Sequence, residues 1–206
     1  PRMTDILLQL DELGYGAHIH GLGDKGISEA LDAIEAARHA GSRQKYHITH
    51  LYMVDKRDLS RFEELDVTAD FQISHPQDRE DHIEEASYFF EKHQLDHVTF
   101  RPIKEIAETL ANLVLSSDWS VNDINPLAAI SHSVTEGSLQ IDSAIDAYTI
   151  NAASALGIDN VSGSIEIGKF ADLVVLDRDI RQSDPEEILS AQVLMTVFEG
   201  QIVFEK

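Results

Sequence analysis

Apolar positions in the first 117 residues switch repeatedly between two periods. Ile6, Leu7 and Leu10 open on a helical spacing, and residues 15–20 then read as a short strand. Ile27, Ala30, Leu31, Ile34 and Ala37 return to the 3.6-residue period, with Asp24 as the expected cap and Gly41 where a left-handed C-terminal residue belongs. Residues 46–50 predict a second strand. Asp55 followed by Asp58 resembles a capped start, and Leu59, Phe62 and Leu65 supply the buried stripe of another helix. Residues 67–73 predict a third strand and 111–117 a fourth; the stretch 78–110 between them reads as charged and helical, interrupted near Arg101-Pro102. Strands and helices alternating through short connections predict an α/β fold with a parallel sheet and crossover helices.

The pattern changes after residue 120. Residues 122–126 predict a loop, followed by a short helix, a polar stretch at 135–142 and a helix ending at Leu156-Gly157. Four short strands are expected at 164–167, 171–176, 191–198 and 201–204, with Gly168-Lys169 and Glu199-Gly200 as turns. A domain boundary is therefore expected near residue 157, dividing 1–157 from 158–206.

Composition narrows the function classes. The 206 residues carry 37 acidic against 16 basic side chains, a net charge of −21, with no basic cluster. Such a surface repels phosphate backbones and anionic lipid, so neither nucleic acid nor membrane is an expected partner. No stretch approaches the eighteen apolar residues of a membrane-spanning helix. The absence of cysteine excludes disulfides, thiolate zinc knuckles, Fe–S clusters and a cysteine nucleophile, leaving His and carboxylates for any metal chemistry. The chain opens Pro1-Arg2-Met3-Thr4 without an initiator Met and with a helix under way by Ile6, so a piece of a longer protein is expected and localisation stays open.

Gly21-Leu22-Gly23-Asp24-Lys25-Gly26 matches G-x-G-x-x-G between a strand and a helix, the context of a nicotinamide dinucleotide loop. Against it, the second strand ends in Thr49-His50 rather than an acid for the ribose, and Asp24 would repel phosphate. A tight turn is the better reading. A non-catalytic assembly domain is a further alternative.

Ionisable residues gather at strand ends. His18 and His20 close the first strand, His47 and His50 the second, His75 follows the third and Asp118 the fourth. The C-terminal ends of parallel strands share one side of the sheet, so these side chains converge there. Neutral imidazoles with a carboxylate suit zinc or a similar divalent ion, whose bound water ionises near pH 7, and a nearby carboxylate can carry the proton. A lone histidine among the 10 is more often a hydrogen-bonded structural residue than a ligand, and His39, His82, His93, His97 and His132 are left as such; strand-end placement is what raises His20, His50 and Asp118. His18 shares a face with His20, which makes His18-Ile19-His20 an alternative ligand pair. Ser116-Ser117 lies beside Asp118 without a nucleophile elbow, and Trp119 is either core or pocket wall.

Residues 163–177, Gly-Ser-Ile-Glu-Ile-Gly-Lys-Phe-Ala-Asp-Leu-Val-Val-Leu-Asp, closely resemble the segment where metal-dependent amidohydrolases leave their catalytic barrel for a small β-sandwich. His20-Gly21-Leu22-Gly23-Asp24 is similar to the H-A-x-G-D segment of the amidohydrolase family 3 branch, Ile48-Thr49-His50 to its I-E-H, Ser117-Asp118-Trp119 to its S-D-W, and residues 148–153 to its Y-T-x-N-A-A. The resemblance implies a partial (β/α)8 TIM barrel, about strands five to eight, followed by part of a β-sandwich. It implies a one- or two-metal centre, zinc being the expected ion, that hydrolyses C–N bonds of small molecules such as amides or N-formyl groups. By position, His20 and His50 become the fifth- and sixth-strand metal ligands, and Asp118 the eighth-strand ligand and general base. Gln72-Ile73-Ser74-His75 stands where the family has Q-P-x-H, making His75 a substrate contact; His47 and Trp119 are the other candidates. Thr49, His47 and Ile73 depart from the family's Glu, Arg and Pro, which bears on how the ligands are oriented. The family's first four strand–helix units would precede Pro1. This chain alone is therefore expected to be inactive, and to associate with itself or with an N-terminal half that covers its open sheet.

Overall fold

The computed structural model describes residues 2–73, 88, 91–93 and 95–206. These fall into two compact units, Pro1–Gln72 with Pro76–Val114, and Ile73–His75 with Leu115–Lys206.

In the first unit, helix α1 (Met3–Glu12) leads to strand β1 (Ala17–Gly21), helix α2 (Asp24–His39) and strand β2 (Tyr46–His50). A short strand β3 (Met53–Asp55), a 3-10 turn at Lys56–Asp58 and helix α3 (Arg61–Glu64) precede strand β4 (Val67–Gln72). Beyond it lie β5 (Val98–Phe100), α4 (Ile103–Ala107) and β6 (Leu113–Ser116), whose last two residues are counted with the second unit. The sheet has the order β1-β2-β4-β6, with β1–β2 and β2–β4 parallel. Ile27, Ala30, Leu31, Ile34 and Ala37 of α2 are all fully buried, as are Ile48, Ala69 and Phe71 of the sheet. Each fully buried Ile or Leu there is worth about 1.5–3 kcal/mol over its exposed state, which fixes α2 to the strands.

The second unit holds α5 (Pro126–Thr135), α6 (Ile141–Tyr148), α7 (Ile150–Leu156), β7 (Leu173–Leu176), α8 (Pro185–Leu189), β8 (Val193–Phe198) and β9 (Gln201–Glu205). Its antiparallel sheet has the order β7-β8-β9. Glu199 and Gly200, with φ of 47° and 78°, make the two-residue turn that pairs Phe198 with Gln201. No helix among the described residues is long and apolar enough to cross a membrane.

Several local expectations are corrected. Asp24 does not cap α2: Gly23 is the N-cap, and Asp24 lies in the first turn, where its charge favours the helix dipole. The segment after residue 53 is not one helix but β3, a 3-10 turn capped by Asp55 through Arg57 N–H at 3.0 Å, and the four-residue α3. β5, within the stretch read as helical, pairs antiparallel with β3, with Met53 opposite Phe100, Val54 opposite Thr99 and Asp55 opposite Val98; the β-branched Val54–Thr99 pair is the favourable cross-strand contact. Residues 164–167 are not a strand. Ser164 Oγ donates to Glu166 and Lys169 N–H donates to Glu166 O at 3.2 Å, local bonds that compete with a ladder. Ile165 and Ile167 are left exposed. The last helix of the middle region is two, α6 and α7, broken at Thr149 (φ −121°, ψ −94°).

Candidate metal centre

Side chains in register across adjacent strands share a face. Tyr46 is opposite Val67 and Ile48 opposite Ala69; with Phe71 these apolar residues are buried on the helix side. On β1, β2 and β4 the other face is polar. One row is His18, His47 and Thr68; the next is His20, Thr49 and Asp70. Parallel strands covered on both faces read as unbroken apolar runs; β1, β2 and β4 depart from that pattern on this face.

His20 and His50 come together at the end of this face, their ring centroids 4.1 Å apart and 49° between planes. Strict alternation pairs His50 with Gly21 and would turn it toward the helices. Instead His50 is left-handed (φ 76°), as is Leu51 (φ 52°), and Leu51 N–H donates to Gly21 O at 2.9 Å. Such a conformation costs about 1–3 kcal/mol and persists where its surroundings over-determine it; here Leu51 is fully buried. Two imidazoles brought side by side match the nitrogen donors that zinc and similar ions prefer.

The neighbouring polar groups are tied to each other. Thr49 Oγ1 donates to Asp70 Oδ2 at 3.1 Å, and Gln72 Nε2 donates to Thr49 Oγ1 at 2.8 Å. His18 Nε2 lies 3.8 Å from Asp70 Oδ2, and His18 Nδ1 lies 3.4 Å from His47 Nδ1. His18 therefore belongs with His47 and Asp70, not with His20 as one ligand pair. Asp70 is 5 % exposed, and its Oδ1 has no hydrogen-bond partner among the described residues. An orphaned buried carboxylate oxygen is costly without a cation or donor. In the same row as His20, it makes this face hospitable to a positive ion.

Asp118 and Trp119 belong to the second unit. Asp118 is left-handed (φ 51°) and its carbonyl accepts Val121 N–H at 2.8 Å, closing a turn two residues beyond β6. Trp119 is 70 % exposed, which excludes the core reading. His75 lies outside the described residues. Among the described residues no three His, Asp or Glu side chains are grouped closely enough to hold a metal ion, so the described arrangement supplies the His20–His50 pair.

The periodicity of the sequence did not single out Tyr52 or Arg101. Tyr52 lies against His50, centroids 6.4 Å apart and planes 28° apart, and also contacts Phe100. The Arg101 guanidinium sits over the Tyr52 ring at 5.2 Å and donates through Nη2 to Gln72 O. Only the β3–β5 pairing brings these together, although Arg101 at an X-Pro junction was a visible break. Gly21, part of the apparent dinucleotide loop, has a packing reason instead: an added Cβ would lie 2.8 Å from Ile48 Cγ2 and 2.9 Å from Ile27 Cγ1.

A model of the amidohydrolase family matches residues 1–204. The chain is 28 % identical over 216 residues to the N-substituted formamide deformylase of Arthrobacter pascens, covering 98 % of this chain and 39 % of that protein. It is also 28 % identical over 223 residues to the Arabidopsis thaliana protein LONG AFTER FAR-RED 3, covering 98 % of this chain and 36 % of that one. The chain thus spans well under half the length of these relatives. Among solved structures, a zinc-bound adenosine deaminase from Xanthomonas campestris shares the fold with a TM-score of 0.68 at 18 % identity, over 98 % of this chain and 48 % of that one.

Proposed function

This chain belongs to the amidohydrolase family, and from that premise we propose that it is the C-terminal portion of a metal-dependent hydrolase acting on C–N bonds of small molecules, amides or N-formyl groups. The observation that carries the reading is the convergence of His20 and His50 at the end of a polar face of a parallel sheet. In this reading β1, β2, β4 and β6 are strands five to eight of a (β/α)8 barrel, and residues 158–206 contribute to a β-sandwich.

The donor chemistry of His20 and His50 suits a divalent ion such as zinc, which these two would hold; Asp118 is added by the family resemblance alone, as further ligand and general base. When bound, such an ion polarises a carbonyl and brings the pKa of its water to about 7. Asp118 takes the proton of the attacking water and returns it to the leaving nitrogen. Thr49, in the same row as His20, is bonded to Asp70 and Gln72, so these three polar groups are tied to one another. His47, His75 and Trp119 contact substrate. Zinc content of the full-length protein, compared with His20→Ala, His50→Ala and Asp118→Ala, tests the assignment. Each variant loses metal; unchanged content in all three removes it.

The chain associates with the remainder of the barrel or with a second copy. Val174, Phe198, Ile202 and Phe204 of the antiparallel sheet are each 47–58 % exposed, a concentration of apolar surface that monomers avoid. Sedimentation of the isolated chain gives a larger species, and a monodisperse single-chain particle would refute association.

A further inference from the structure

We propose that Arg101, held on the ring of Tyr52 beside the His20–His50 pair, is the anion-binding group of this centre, so that the substrate is an amide carrying a carboxylate. The inference rests on the hydrolase reading above and adds the substrate class to it.

Arg101 has three anchors. Its backbone is left-handed (φ 45°), and its N–H donates to Tyr52 O at 2.9 Å. Its guanidinium carbon lies 5.2 Å from the centre of the Tyr52 ring, a cation–π contact worth about 0.5–1 kcal/mol when exposed. Its Nη2 donates to Gln72 O, the last residue of β4. This places the guanidinium at the same end of the sheet as His20 and His50. Tyr52 is the spacer: its ring is 6.4 Å from that of His50. The guanidinium carbon is therefore no farther from the His50 ring than those two ring distances combined, a span that a substrate of amino-acid size bridges. A non-glycine residue held left-handed at such a place is a recurrent sign of function.

Charge makes the position informative. Acidic residues outnumber basic ones 37 to 16, and Arg38, Arg57, Arg61, Arg178 and Arg181 are each committed to carboxylates or to several carbonyls. Among the described residues no carboxylate lies within ion-pair distance of Arg101, whose one hydrogen bond from the guanidinium goes to a neutral carbonyl. A guanidinium has five N–H donors in a planar fork, so donors matched to a carboxylate remain. The imidazoles recognise the reacting end, and Arg101 the anionic end, of one small molecule.

The test uses the full-length, metal-loaded enzyme with N-formyl-alanine and N-ethylformamide, which differ by the carboxylate alone. In each, water adds to the formyl carbon, the C–N bond breaks and the nitrogen takes the proton, giving formate and an amine. The wild type prefers N-formyl-alanine. Arg101→Met lowers kcat/KM for it about 10- to 100-fold more than for N-ethylformamide, chiefly through KM, the range for hydrogen bonds to a charged group. Arg101→Lys keeps the charge without the fork and recovers part of the preference, and thermal melts of both variants check folding. Equal turnover of the two probes by wild type, or an equal loss on both in Arg101→Met, overturns the subsite and leaves the hydrolase reading standing. If neither probe is turned over, calorimetric binding of N-formyl-alanine decides. Binding that depends on Arg101 keeps the subsite and removes formamide hydrolysis; binding that ignores Arg101, or its absence, overturns the subsite.

Discussion

Replacing Arg38 by Met removes a guanidinium while keeping most of its stem, and the structure sets out what is lost. Arg38 lies in the last turn of α2, where a positive charge also favours the helix dipole. Its Nε donates to Leu65 O at 2.9 Å, Nη1 to Gln44 O at 2.8 Å and Ser42 O at 3.3 Å, and Nη2 to Asp66 O at 3.1 Å. The first pair of loops enters β4 and β2 at their starts, so one side chain pins two neighbouring strands to one helix. The guanidinium also lies 4.8 Å over the ring of Tyr46, which is 1 % exposed. Full value for four charge-assisted bonds would overshoot, because solvent reaches several of these carbonyls once the arginine is gone. Counting the two shortest bonds at about 1 kcal/mol net each and the ring contact at about 0.5–1 gives a loss of about 2.5–3 kcal/mol. That is a sizeable part of a typical domain's stability of about 5–15 kcal/mol. Urea unfolding followed by circular dichroism reads it as a lower midpoint at constant slope, and amide exchange should quicken at the starts of β2 and β4 while residues 126–156 are unaffected. Arg38→Lys keeps the charge but cannot span four carbonyls, and recovers less than half. A cost below about 0.5 kcal/mol, or a lysine variant equal to wild type, would show that the fork carries none of this stability.

Asp58→Ala costs about 3 kcal/mol in the same assay, since Asp58 is 1 % exposed and accepts from Ser28 and Arg61. Asp32→Ala, at the exposed end of the same arginine, costs under about 1 kcal/mol; equal costs would refute the burial argument. Burial works against the charge of Arg61, but its bonds to Asp58 and Asp32 outweigh this and raise its pKa, so it stays charged throughout the accessible range. Gly21→Ala forces a methyl against Ile48 and Ile27, destabilising by about 1–3 kcal/mol and lowering metal retention through His20; an unchanged midpoint and metal content would refute it. Asp177, hydrogen-bonded by Arg178 and by Gln192 N–H, has its pKa lowered from 3.8 to about 2. A depressed carboxylate stabilises above its ordinary pKa and loses that contribution as pH falls through the folded one. The β7–β8 pairing therefore loosens between about pH 4 and pH 2, read as faster amide exchange at residues 173–177, and Asp177→Asn removes that pH dependence.

Much of the fold was legible because it is set by local periodicity. β2, β4 and β6, the stripe of α2, and the turn at Glu199-Gly200 follow from apolar spacing and turn chemistry in contiguous residues. The strand-end placement of His20 and His50 was equally visible, since parallel pairing brings such ends to one side of the sheet whatever the intervening helices contain. Where reading failed, a competing partner decided. Residues 164–167 alternate like a strand but are taken by their own side chains, and β5 forms because β3 offers it an edge.

The sequence by itself determined an acidic α/β chain with a parallel sheet, no thiol chemistry and histidines at the ends of its first two strands, because composition and short-range period are written residue by residue. Only the tertiary structure decided that His50 turns in a left-handed conformation to meet His20, that His18 joins His47 and Asp70 instead, and that Arg101 reaches the site over Tyr52. Those outcomes depend on register between strands and on backbone angles at single residues. Both are fixed by packing across 29 to 52 positions, where no local pattern reaches.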